Sequence, residues 1–217
     1  MFVGHLAAGM IGKRIEPRVS LGTWVVAVML SDLLLFPLLL AKVESVTSQP
    51  NVSANRIIGL EIGYSHSLLM NIIWASLFGL IYYLLRRYRP GAVLLFAGVL
   101  SHWVLDVVSH RPDMPLAPGA PFKLGFGVWN SLAATLIVEG GLWLLAIALY
   151  VSATRPKGRA GVYAFWSGIV LLTLIWHGNI TRGMDPDPVK AGIGGLILFS
   201  LIVAWAYWIN RLRPTRV

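Results

Sequence analysis

Six apolar stretches, at roughly 19–41, 63–85, 91–109, 128–152, 161–178 and 189–210, approach or meet the ~20 helical residues needed to cross ~30 Å of hydrocarbon. Between them lie Arg86 to Gly91, Pro112 to Pro121, Arg155 to Gly158 and Met184 to Pro188, runs of Pro, Gly and charge that end helices. The composition excludes a soluble alternative. Hydrophobic residues make up 57% of the chain and charged residues 12%, about half the usual share, too few to cover the surface of a soluble domain. The expected fold is therefore all-α, one polytopic membrane helix bundle spanning residues 1–217. Residues 1–12 are apolar but too short to cross and follow no charged leader, so they read as a half-membrane re-entrant or interfacial helix.

Basic residues set the expected orientation, because cytoplasmic loops retain Lys and Arg. Twelve of them (Lys13, Arg14, Arg18, Arg86, Arg87, Arg89, Arg155, Lys157, Arg159, Arg211, Arg213 and Arg216) fall at one set of helix ends, and six at the other. The expectation is a plasma (inner) membrane protein with both termini cytoplasmic. Topology then accounts for the net charge of +9, and no nucleic-acid partner is expected. Zero cysteines exclude disulfides and thiolate metal sites, leaving His, Asp and Glu as the strong ligands available. Asn51-Val52-Ser53 and Asn179-Ile180-Thr181 match the glycosylation triplet, and Gly59 to Gly63 matches the small-residue helix-contact pattern.

Ionisable residues at membrane depth cost a few kcal/mol each and usually face a cavity, a partner or a metal. Counted along the spans, Asp32, His66, His102 and Asp106 fall in one layer in the outer half, and Glu139 lies deeper. His102, Asp106 and His110 are spaced i, i+4, i+8, which puts them on one helix face if the helix continues through His110. Neutral imidazole with carboxylate suits Zn2+, with Mn2+ or Fe also able to bind, and a site with an open position activates water. Ser65 and Ser67 flank His66 and are candidates to fix its tautomer or bond substrate oxygen. Asp113 is a candidate for the same region; His177, Asp185 and Asp187 fit an outward loop. Trp103 and Trp129 read as interface anchors before groove walls.

Gly4-His5-Leu6-Ala7-Ala8-Gly9, Ser31-Asp32, Tyr64-Ser65-His66-Ser67-Leu68 and Ser101-His102-Trp103-Val104-Leu105-Asp106 resemble the YdjM-like family, small multi-pass proteins described as membrane-bound metal-dependent hydrolases. The likeness covers roughly residues 1–110, so that half would carry the site and residues 111–217 would supply the remaining helices. The order His, Asp, His, His-x3-Asp, His is also similar to soluble zinc-dependent phospholipase C and the single-strand-specific zinc nucleases. These resemblances imply one metal held by Asp32, His66, His102 and Asp106, and a second shared by Asp106 and His5. They would place His110 in a third site, with Glu139 or Asp113 standing in only partly for a missing His-x3-Glu. One or two ions are expected. By helix rise, His5 reaches the layer of His102 but falls short of Asp106.

The expected activity is a hydrolase whose metal-activated water attacks a phosphate ester of a lipid or lipid-linked substrate, with Asp32 or Asp106 taking the water proton and Ser65 or Ser67 orienting substrate. Two rivals use the same cluster. One is a proton- or ion-coupled transporter in which Glu139 extends the relay. The other is a silent scaffold whose metal occupies a closed four-ligand site. Oligomeric state is left open.

Overall fold

A computed structural model describes residues 1–48, 54, 57–182 and 187–216. The helices are α1 (Phe2–Ile15), α2 (Leu21–Val28), α3 (Leu30–Leu40), α4 (Gly63–His66), α5 (Leu68–Arg86), α6 (Arg89–Ser109), α7 (Leu132–Thr135), α8 (Gly141–Ala153), α9 (Gly158–Arg182) and α10 (Pro188–Leu212). Five of the spans are long and apolar enough to cross a membrane, the third running Leu132–Ala153 through α7 and α8, and the bent pair α2–α3 makes a sixth. This agrees with the expectation of about six apolar segments able to cross, preceded by a short first helix.

Three departures shape the site. The first expected span, 19–41, is broken at Met29, where α2 and α3 meet at 54°. The second, 63–85, is interrupted at Ser67, an extended residue whose hydroxyl caps α5 by accepting from the Met70 amide at 3.3 Å. The fourth, 128–152, begins with a 3-10 turn at Val128–Asn130 and contains a π turn at Leu136–Gly140 before α8. The fold is also not purely helical. Strands β1 (Ser45–Ser48) and β2 (Ile57–Glu61) form an antiparallel hairpin in register Ser45↔Glu61, and β3 (Met114–Pro115) pairs with β4 (Lys123–Leu124). Gly59 therefore lies on a strand rather than in a helix. Asn51-Val52-Ser53 and Asp185 lie outside the described residues.

Helix α1 is neither interfacial nor peripheral. Val3, Leu6, Ala7 and Met10 are buried, and it packs against α2, α6 and α8. Its last turn meets the basic ends of the other helices: Arg14 donates to Ser152 Oγ at 3.1 Å, and Tyr88, between α5 and α6, donates to Glu16 Oε2 at 2.7 Å. This hydrogen bond to a carboxylate pushes the Tyr88 phenol up from its ordinary range. The Arg155 and Lys157 amides bond the Pro214 and Leu212 carbonyls at 3.0 and 2.7 Å, so the four basic clusters share one end of the bundle. Met1 does not lie at that end. Its amino nitrogen donates to Asp106 Oδ1 at 2.6 Å, deep in the bundle, so α1 runs from the interior to the basic end.

Glycines permit the closest helix approaches, as expected where apolar helices pack in lipid. A Cβ on Gly12 would lie 2.5 Å from the Trp24 ring, whereas one on Gly194 would meet nothing within 4 Å. Gly12→Ala is expected to destabilise by about 1–3 kcal/mol through overpacking. Gly194→Ala should be neutral or stabilising by about 0.5–1 kcal/mol, since it only removes backbone freedom from a helix. Equilibrium unfolding in detergent compares the pair; equal effects would contradict this packing.

Candidate metal centre

The centre is assembled by the two helix breaks and the hairpin. Lys13 Nζ donates to the Pro17 and Val19 carbonyls at 2.7 and 3.0 Å, which levels the end of α1 with the start of α2. From there His5 is eight residues up α1 and Val28 nine residues up the α2 segment, rises of ~12 and ~13 Å that match. His5 accordingly stacks on His102, ring centroids 3.7 Å apart, and its Nε2 lies 3.1 Å from Asp106 Oδ1. The shortfall expected for His5 does not arise. The bend at Met29 turns α3, and Asp32 joins the same cluster, its Oδ1 3.4 Å from His66 Nε2.

Three imidazoles share one arrangement, each held from behind at Nδ1 and presenting Nε2 to the carboxylates. His102 Nδ1 donates to the Val28 carbonyl at 2.7 Å, an acceptor left over at the end of α2. His66 Nδ1 lies 2.7 Å from Ser65 Oγ, whose proton goes to Glu44 Oε2 at 2.6 Å, so the hydroxyl accepts from the imidazole. His110 Nδ1 lies 2.9 Å from Asp113 Oδ1. This is the outer hydrogen bonding that fixes metal-binding histidines as Nδ1–H tautomers. Helix α6 stops at Ser109, yet the His110 amide still bonds the Asp106 carbonyl at 2.7 Å, which keeps residues 102, 106 and 110 on one face.

In the neutral Nδ1–H form the Nε2 atoms are acceptors, and they converge on one another and on the carboxylates. His66 Nε2 lies 3.3 Å from His102 Nε2 and 3.4 Å from Asp32 Oδ1, and His102 Nε2 lies 3.1 Å from Asp106 Oδ2. The remaining pairs, His66–Asp106 and His102–Asp32, are each 3.9 Å. Four donor atoms around a tetrahedral ion with ~2.1 Å bonds are about 3.4 Å apart, so the spacing fits a divalent ion. Two overlapping sets meet the distance requirement, His66–His102–Asp106 and His5–Asp32–His102. His110 Nε2 stands 3.7 Å from Asp106 Oδ1, at the margin of the same cluster.

Glu44, Asn71 and Trp176 were not legible as site residues. The β1–β2 register brings Glu44 to α4, where Oε1 accepts from the Tyr64 and Ser65 amides at 2.8 and 2.9 Å. Asn71 accepts from Ser31 Oγ at 2.9 Å and donates to the Ser65 and Ser67 carbonyls, locking the turn before Asp32 to the turn of His66. A lone Asn in an apolar span was its only sequence signal. Ser65 and Ser67 are thus engaged behind His66 and at the cap of α5.

A cavity of about 150 Å³ adjoins the centre. Its lining includes Asp32, His66, Asp106 and His110 from the cluster, then Glu139, Trp129 and Trp176, and the apolar Phe36, Phe199 and Ile180. Trp129 is a wall of this cavity rather than an interface anchor: it is 3% exposed and donates from Nε1 to Glu139 Oε1 at 2.9 Å. Trp103 is likewise buried, donating to the Pro115 carbonyl at 3.3 Å. Asn179 lies on α9 beside the cavity, not in a loop, whereas His177 is exposed on that helix and Asp187 caps α10.

The fold and site define a multi-span helical membrane protein with a buried His/Asp cluster. Residues 1–182 match the YdjM inner membrane protein family, and the chain belongs to it. The match extends beyond the first 110 residues, through α9. No curated protein and no solved structure matches the chain, so the likeness to soluble zinc phospholipase C and zinc nucleases rests on residue order alone.

Removing the support behind His66 tests the centre without touching a ligand. Glu44→Ala and Ser65→Ala are each expected to weaken zinc binding by about 10–100-fold while leaving the protein folded. Competition against a chelator of known affinity measures it; unchanged affinity in both variants would contradict the assigned tautomer.

Proposed function

We propose that this protein is a membrane-embedded metal-dependent hydrolase acting on a phosphate ester of a lipid or lipid-linked substrate. One observation carries the reading: three histidines braced at Nδ1 turn Nε2 toward two carboxylates, at spacings that suit one divalent ion. His66, His102, Asp106 and Asp32 would hold one divalent ion, zinc best suiting this donor set and manganese next, while His5 and Asp106 would share a second. When bound, such an ion lowers the pKa of water to about 7 and polarises a phosphoryl oxygen.

The chain's own groups do the rest. Asp32 lines the cavity with 19% of its side chain exposed, the most accessible of the candidate ligands, and is placed to accept the proton of the attacking water. Its contact with the cavity also favours an open coordination position over a closed structural site. Phe36, Phe199 and Ile180 keep bulk water out and suit an alkyl chain. The cavity holds a phosphate headgroup but not a whole lipid, so the acyl chains would stay in the bilayer. The shared basic end would face the cytoplasm, which orients α10 to end there and α1 to rise inward from it.

Elemental mass spectrometry of protein purified without added metal tests this. The wild type is expected to carry about one or two zinc or manganese ions per chain, and the His102→Ala/Asp106→Ala variant none. Full occupancy in the variant would remove the assignment. Wild type without metal even after incubation with zinc would transfer the same residues to a proton or ion pathway.

A further inference from the structure

The cavity is also lined by Glu139, Trp129 and Trp176, which the metal centre does not use. Among the described residues, Glu139 Oε2 and Trp176 Nε1 are buried side-chain atoms that make no well-formed hydrogen bond, the Trp176 N–H faces the Glu139 carboxyl, and both residues line this cavity. Glu139 is 1% exposed. Its other oxygen is pinned by the Trp129 N–H, and the Trp129 ring packs on His110 with centroids 4.2 Å apart, which ties the orientation of Glu139 to the centre. Backbone geometry points the same way. Glu139 sits in the π turn Leu136–Gly140, a local insertion that re-aims side chains and recurs at functional sites. With Oε1 fixed by the Trp129 indole, Oε2 is the oxygen left to exchange a proton, on a residue that lines the cavity.

One chemical group satisfies both atoms together: an oxygen that takes a proton from Glu139 Oε2 and a hydrogen bond from Trp176 N–H. The alcohol oxygen of an ester undergoing hydrolysis is such a group. Resting on the hydrolase reading, we propose that Glu139 is the general acid that protonates the leaving alcohol, with Trp176 bonding the same oxygen, and that the substrate is an alkyl phosphate ester. In this step the water oxygen bonds to phosphorus and the phosphorus–alcohol bond breaks, its electron pair staying on the alcohol oxygen. That oxygen receives the Glu139 proton. Asp32 takes one proton of the water, and both carboxyl groups re-equilibrate with solvent as products leave.

An alkoxide leaves poorly unless protonated, whereas p-nitrophenolate needs no acid, so leaving-group dependence separates proton donation from simple positioning. The experiment compares metal-loaded wild type and Glu139→Gln in detergent on a dialkyl phosphate and on the matched alkyl p-nitrophenyl phosphate, with metal content measured alongside. Glu139→Gln should lose about 100-fold or more in kcat on the dialkyl ester and less than about threefold on the p-nitrophenyl ester, with metal content unchanged. Trp176→Phe, which keeps the ring and loses the N–H, should lose about tenfold on the dialkyl ester alone. Equal losses on both esters, no loss on the dialkyl ester, or loss of metal from Glu139→Gln would each overturn the assignment of Glu139. Metal-loaded wild type that cleaves neither ester would remove the hydrolase reading, and this inference with it.

Discussion

Buried imidazole nitrogens and carboxylates that face one another need positive charge among them, from protons, from the Met1 ammonium on Asp106 or from a metal ion. In water, two imidazole nitrogens and two carboxylates could turn away or be solvated; buried among helices they cannot, and unpaired charge there costs several kcal/mol. The His66 and His102 Nε2 atoms, 3.3 Å apart and each braced from behind, belong to a group of side chains able to hold a metal ion. The braces come from different parts of the chain: the carbonyl at the end of α2, the Ser65–Glu44 pair, and Asp113 in the loop after α6. Of the four clustered imidazoles, His66, His102 and His110 are anchored at Nδ1, while His5 is held by its stack on His102 and its Nε2 contact with Asp106.

Irregular backbone is concentrated where this centre needs it. The break at Met29 releases the Val28 carbonyl and redirects Asp32, the interruption at Ser67 lets His66 sit on its own short turn, and the π turn at Leu136–Gly140 carries Glu139. Non-helical backbone at membrane depth survives only where it is enclosed by protein or lines a cavity. Here it is enclosed by α1, whose glycine-lined face lets it approach α2 closely enough to cover the site and contribute His5.

Much of the centre was legible because a charged residue in an apolar span has few reasons to be there. Asp32, His66, His102 and Asp106 stand out on that ground, and the i, i+4, i+8 spacing identified the face shared with His110. His5 was legible only by position, since its reach depends on the register between α1 and α2 that Lys13 sets through Val19. Glu44 carried no signal at all: it is an ordinary loop acid until a hairpin register, itself absent from an all-helical reading, delivers it to Ser65. Trp129 and Trp176 looked like any aromatic residues near span ends. What made them cavity walls is the turn geometry around Glu139, which periodicity does not encode.

The central claim concerns which atoms surround a cation in this bundle, and X-ray absorption at the zinc edge of zinc-loaded protein reads that shell directly. The account predicts a mixed nitrogen and oxygen shell at ~2.0–2.1 Å with the outer-ring scattering of at least two imidazoles. A shell of oxygen alone, without imidazole scattering, would contradict it.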